Sequence, residues 1–167
     1  SEILRFSYTQ PPLLSDELPV PQARALSVPV ASMPTDWPQW RGSNRDGIVH
    51  NGPRLSWSAV GPKKLWRSEP LPSMEDGGFG SVTVAEGKVF VFVDWKHGFQ
   101  GAAGRQDVIV CLDEQTGETL WKAGYPTGVR TDHAVSSVPC VADDKVFVCG
   151  VERLYCLNAE NGELLWK

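Results

Sequence analysis

Two stretches decide how this chain reads: CLDEQTGETLWK at residues 111–122 and CLNAENGELLWK at residues 156–167. Each runs from a cysteine through a turn to a Trp-Lys pair. In the first, Asp113 ends a strand-like run, and its side chain suits an Asx turn, accepting from backbone N–H groups two residues on. Gly117 supplies the positive φ that closes the turn. Trp121 stands four residues past that glycine. In the second, Asn158 and the Asn161-Gly162 pair offer the same chemistry, and Trp166 again stands four residues past the glycine. A fixed turn therefore aims an indole at a fixed place in each unit, where one ring buries roughly 150–250 Å² against a neighbour. On this reading Asp113, Thr116, Gly117, Trp121, Asn158, Asn161, Gly162 and Trp166 form a docking device between repeats, structural before anything else.

Working outward, four strand-like runs recur in the same order. The first pass is SVTV (81–84), VFVFV (89–93), VIVCL (108–112) and TLWK (119–122). The second is SVPCV (137–141), VFVCG (146–150), RLYCL (153–157) and LLWK (164–167). Several runs are apolar on both faces, the pattern of strands covered on both sides. No helical period competes. Trp121 to Trp166 spans 45 residues and Trp66 to Trp121 spans 55. The surplus falls between the second and third strands, in DWKHGFQGAAGRQD (94–107), which reads as an insertion. Four strands in about 40–45 residues is the spacing of a propeller blade. The expected fold is all-β: a partial β-propeller of two four-stranded antiparallel blades, 81–122 and 137–167, after an N-terminal segment. KKLWR (63–67) reads as one more short strand.

Residues 1–35 carry six prolines and neither strand nor helix periodicity, so a disordered Pro-rich tail or linker is expected there. The folded unit begins at Asp36 and runs to residue 167. In DWPQWRGSNRDGIV the glycines and the Arg45-Asp46-Gly47 run mark turns. Trp37 and Trp40 are expected to clamp this segment onto the blades, supported by Arg41, Arg45 and Asp46.

Sixteen basic and twenty acidic residues give a formal charge of −4, with no basic stripe. Nucleic acid is thereby a poor partner. No apolar run approaches the ~20 residues of a membrane span. The four cysteines form neither a CxxC pair nor a metal spacing and read as small buried apolar residues. No GxSxG or HExxH motif is present, so no catalytic residue is assigned.

The turn-and-tryptophan pattern resembles the tryptophan-docking motif of the PQQ-like repeat β-propellers. That family includes quinoprotein alcohol dehydrogenases and the propeller lipoprotein of the outer-membrane β-barrel assembly machinery. DWPQWRGSNRDG with LSWSAVGPKKLWR is similar to the usual opening of such proteins, so the resemblance covers residues 36–167. It implies an eight-bladed ring of which this chain is an N-terminal fragment, with the missing downstream blades as partners. It also implies a periplasmic or otherwise exported location; residues 1–167 contain no signal peptide themselves, and a start at Ser1 rather than Met implies an upstream piece that was removed. Two functions follow from it. One is a non-catalytic binding or assembly scaffold, taking a protein partner or small ligand at the propeller face. The alternative is the N-terminal part of a PQQ- and calcium-dependent quinoprotein alcohol dehydrogenase. In those enzymes the cofactor stacks between a tryptophan and an adjacent-cysteine disulfide. The corresponding AVSSVPC (134–140) holds one cysteine and no pair. GGFG (77–80) stands where an acidic cofactor contact is implied. The family's calcium ligands and catalytic aspartate would fall beyond residue 167. The scaffold is the favoured expectation, with no cofactor held by these residues.

A meandering blade alternates ends at each turn. The 94–107 insertion therefore shares one end with the connections at 67–80 and 123–136. Aligning EDGGFGS (75–81) with TDHAVSS (131–137) sets Asp76 and Asp132 at the same step before the innermost strands. Asp76, Trp95, His97, Arg105, Arg130, Asp132 and His133 are then ligand-binding candidates at the channel mouth. Asp76 and Asp132 read in the first place as turn caps. Asp132, His133 and His97 lack ligand spacing, so no metal is expected.

Overall fold

The computed structural model describes residues 36–50, 52, 56–71, 80–95, 99–101, 104–127 and 137–167. The expected Pro-rich tail, 1–35, lies outside the described residues. The chain is all-β and forms two four-stranded antiparallel sheets, each a simple meander. The first holds β1 (Thr83–Ala85), β2 (Lys88–Trp95), β3 (Gln106–Asp113) and β4 (Thr119–Pro126). The second holds β5 (Cys140–Ala142), β6 (Lys145–Cys149), β7 (Leu154–Asn158) and β8 (Leu164–Trp166). One 3-10 turn, Phe99–Gly101, sits between β2 and β3.

The two sheets repeat each other rung by rung. Thr83, Phe90, Cys111 and Trp121 stand in register across the first blade. Cys140, Phe147, Cys156 and Trp166 do so across the second. Cys111 and Cys156 thus lie between two aromatic side chains, where a small apolar residue fits, and both are fully buried. Cys140 is half-buried and Cys149 exposed, unlike the uniformly buried cysteines expected; all four are free thiols. In each blade the register slips by one residue between the cysteine and the following leucine, Cys111/Leu112 and Cys156/Leu157. The extra residues are Leu120 and Leu165, 49% and 44% exposed. A bulge of this kind bends the strand and re-aims the next side chain, and that side chain is the tryptophan.

Blade packing follows from the strand period of two. Phe90, Phe92, Ile109 and Cys111 on one face of the first blade share a core with Val146, Val148, Tyr155 and Leu157 of the second. The opposite face of the first blade, with Val89, Val93, Val108, Val110 and Leu112, is covered by Trp66 and Leu71. Strands buried on both sides explain the unbroken apolar runs.

The short strands β1 and β5 adjoin, with the Thr83 hydroxyl donating to the Pro139 carbonyl at 2.6 Å. Across both runs the N-terminal segment. Trp37 exchanges two backbone hydrogen bonds with Val84 of β1, at 2.7 and 3.0 Å. One residue later, the Pro38 carbonyl accepts from the Val141 N–H of β5 at 2.8 Å.

Several expectations are corrected. KKLWR is not a strand: residues 62–70 carry no ladder, since no described strand lies alongside to pair with them. The loop is shorter than 94–107, because part of the inserted stretch lengthens the strands: β2 extends to Trp95 and β3 begins at Gln106. The inner strands start later than 81 and 137, at Thr83 and Cys140. Trp40 is no clamp; its ring is 61% exposed, with the Arg41 guanidinium 5.3 Å from its centroid. Trp37 alone is tucked in, over Gly42, where an added Cβ would come within 2.8 Å of the indole. Arg45 donates to the Gln39 side chain, Arg41 to the Asp46 carbonyl, and Asp46 pairs with His50.

Candidate functional site

Two regions carry the side chains singled out by sequence, at opposite ends of the blades. The first is the pair of β3–β4 and β7–β8 turns. Asp113 Oδ1 accepts from the backbone N–H of Gln115 and Thr116 and from the Thr116 hydroxyl, at 2.9, 2.7 and 3.0 Å. These donors hold the Asp113 carboxyl below the usual carboxylate range. Asn158 Oδ1 accepts from Glu160 and Asn161 at 2.8 and 3.2 Å. Thr116 Oγ1 and Asn161 Oδ1 each accept from the N–H two residues on. Gly117 and Gly162 close the turns at φ 74° and 75°.

An indole sits on each glycine. Trp66 covers Gly117 and donates to the Glu114 carbonyl at 2.7 Å. Trp121 covers Gly162 and donates to the Ala159 carbonyl at 3.1 Å. Glu114 and Ala159 hold the same place, one residue after Asp113 and Asn158. Trp166 is 48% exposed and touches Phe147 within its own blade. Beside the first turn, an open cleft of ≈ 400 Å³ is lined by Arg67, Glu69 and residues 116–119.

The second region is the β2–β3 end. Of the seven mouth candidates, Asp76, His97, Arg130, Asp132 and His133 lie outside the described residues. Trp95 and Arg105 are described, and strand alternation sends them apart. Trp95 packs edge-on to Phe99 at 5.1 Å, with Lys122 Nζ 5.5 Å from its ring, on the Trp66 side of the blade. Arg105 pairs with Asp94 at 3.4 Å.

Asp94 leads to residues that the sequence reading passed over. It stands directly opposite Asp107 across β2 and β3, and Asp107 opposite Tyr125 of β4. Asp94 is 4% exposed and Asp107 fully buried. Asp107 Oδ2 accepts from the Val151 N–H of the second blade at 3.3 Å. It presses so closely on Gly150 that a Cβ there would sit 2.2 Å away. Tyr125 stacks on Tyr155 of the second blade, centroids 4.5 Å apart. Burial pushes Asp107 up to about 6 and also raises Asp94, where Arg105 opposes the rise. The one available signal was the placing of aspartates at both ends of the 94–107 stretch.

Cys140 follows Pro139 and faces Gln39 Oε1 at 4.0 Å. Among the described residues, no three His, Cys, Asp or Glu side chains gather as a metal site. Among them, too, no helix is long and apolar enough to cross a membrane.

Comparison with known proteins adds a family. The family model described as outer membrane protein assembly factor BamB matches residues 56–167. Among solved structures, the chain is similar to a europium-containing methanol dehydrogenase, at 24% identity and a TM-score of 0.34. That likeness covers 52% of this chain and 14% of the dehydrogenase chain. No curated protein sequence matches.

Proposed function

Because the chain belongs to the outer membrane protein assembly factor BamB family, we propose that it contributes blades to an exported, non-catalytic β-propeller that serves as a binding and assembly scaffold for a protein partner. The observation that carries this reading is the course of the N-terminal segment. Trp37 and Pro38 hydrogen-bond the innermost strands of both blades, so the axial edges that border a propeller's channel are occupied by the chain's own backbone. Cys140 lies under that segment as a single thiol. Both features speak for a structural axis rather than a cofactor seat. Leu165 and Trp166 expose an apolar face on the second blade, which suits burial against a further blade of the ring.

The test is to add PQQ and calcium to the complete protein, then to follow cofactor binding and alcohol-dependent dye reduction. The scaffold reading expects neither binding at micromolar cofactor nor turnover. Sustained turnover would replace it with the quinoprotein dehydrogenase reading.

A further inference from the structure

We propose that Asp94 and Asp107 together hold one proton in the joint between the two blades, and that this proton tightens the joint on acidification. The two carboxyls oppose each other on neighbouring strands, on the face turned to the second blade. Both are more than nine-tenths buried, and among the described residues each Oδ1 has no hydrogen-bond partner. Arg105 stands at 3.4 Å from Asp94, and the Val151 N–H serves only the other oxygen of Asp107.

Counted over the described residues, two ionised carboxylates against the one guanidinium paired with Asp94 leave a negative charge in an apolar joint, which is strongly disfavoured. An ionised carboxylate can only accept, whereas a carboxylic acid has an O–H to donate. One proton removes the excess charge and supplies a donor where two acceptor oxygens lack one. Like charges sharing a site titrate in this split fashion. Among the described residues, the titratable and charged groups facing the pair are Arg105 beside Asp94, Tyr125 from β4 opposite Asp107, Glu152 from the β6–β7 turn and Tyr155 from β7, with Arg153 beside Tyr155. Burial is the main cause that pushes Asp107 up to about 6, and the Asp94 and Glu152 charges act in the same direction.

The sign follows. Folded Asp107 keeps its proton until about 6, whereas an unfolded aspartate releases it near about 3.9. Between those values the folded state binds more protons, so stability falls as pH rises and is level above the window.

The experiment compares the complete protein with its Asp107→Asn variant by denaturant unfolding across the acid to neutral range. Asparagine keeps an oxygen for the Val151 N–H but does not titrate. Relative to the variant, the unfolding constant of the wild type is expected to rise by up to about tenfold per pH unit inside the window, then to level off. A protonated-carboxyl stretch in the infrared spectrum of mildly acidic wild type, lost in the variant, is the second readout. Asp94→Asn serves the same comparison if Asp107→Asn does not fold. Parallel pH curves, or no such band, overturn the proposal. Stabilisation of the wild type alone by millimolar calcium or magnesium also overturns it, because a cation rather than a proton then bridges the pair.

Discussion

The Trp121 indole N–H donates to the Ala159 carbonyl at 3.1 Å, and this bond crosses from one blade to the next. Its ring lies on Gly162, where an added Cβ would meet the indole at 2.5 Å. The same pair recurs one unit earlier as Trp66, Glu114 and Gly117. Docking therefore joins a tryptophan of one unit to the turn of the following unit.

Gly162→Ala tests this junction. The substitution meets both a left-handed backbone and an indole in van der Waals contact. The expected loss is about 2–4 kcal/mol, from the αL penalty together with overpacking. Denaturant unfolding of the complete protein measures it. Gly87→Ala is the control, since its φ is 73° but nothing stands within 4 Å of an added Cβ; it should lose only the backbone share, about 1–2 kcal/mol.

The β5–β6 hairpin offers a change in the opposite direction. Asp143 and Asp144 both adopt positive φ, 50° and 59°, where the matching turn of the first blade uses Glu86 and Gly87. Asp144→Gly relieves the second of these and should stabilise the protein by about 0.5–1 kcal/mol. A thermal melt that moved downward would show that the Asp144 side chain does something beyond tolerating the turn.

Thiol labelling separates the cysteines. Cys149 is exposed, whereas Cys111 is buried and its thiol is pushed up to about 12, chiefly by burial. An aromatic disulfide reagent under native conditions should modify Cys149 promptly and reach Cys111 and Cys156 only on unfolding. Fast reaction of all four would contradict the blade packing.

Acid behaviour should differ between two aspartates of the same blade. The turn's donors stabilise ionised Asp113 and lower its pKa. Its contribution is present above the unfolded pKa and disappears as pH falls through the folded one. Asp113→Asn should leave neutral stability close to wild type, because Asn158 makes the same turn with an amide. The variant should also flatten the stability curve below about pH 4. Asp107 acts with the reverse sign, so the two variants bend the acid limb in opposite directions.

The repeat was legible because its signals are local. An Asx acceptor, a glycine at positive φ and a tryptophan at fixed offset specify a turn wherever the chain goes. Pairing was less legible where it depends on neighbours. KKLWR has strand composition, yet among the described residues no strand lies beside it, and its Trp66 works as a cover instead. The bulge residues Leu120 and Leu165 are ordinary leucines, and nothing in TLWK or LLWK marks the slipped register. Asp94 and Asp107 have the composition of loop residues, because charge seldom sits inside a strand. The burial of Asp107 comes from residues far along the chain, Gly150 and Val151 of the second blade, which press against it. Trp40, next to Trp37 in the motif, was grouped with it on composition, but only Trp37 has a backbone partner in β1.

The crossing of Trp37 and Pro38 over Val84 and Val141 has a dynamic corollary. These amide protons belong to different sheets, yet both are shielded by two consecutive residues at the chain's entry. If that entry peels away, solvent gains both together. Hydrogen exchange at Val84 and Val141 would then proceed as one event, making the leading segment a latch whose release is felt in two sheets at once.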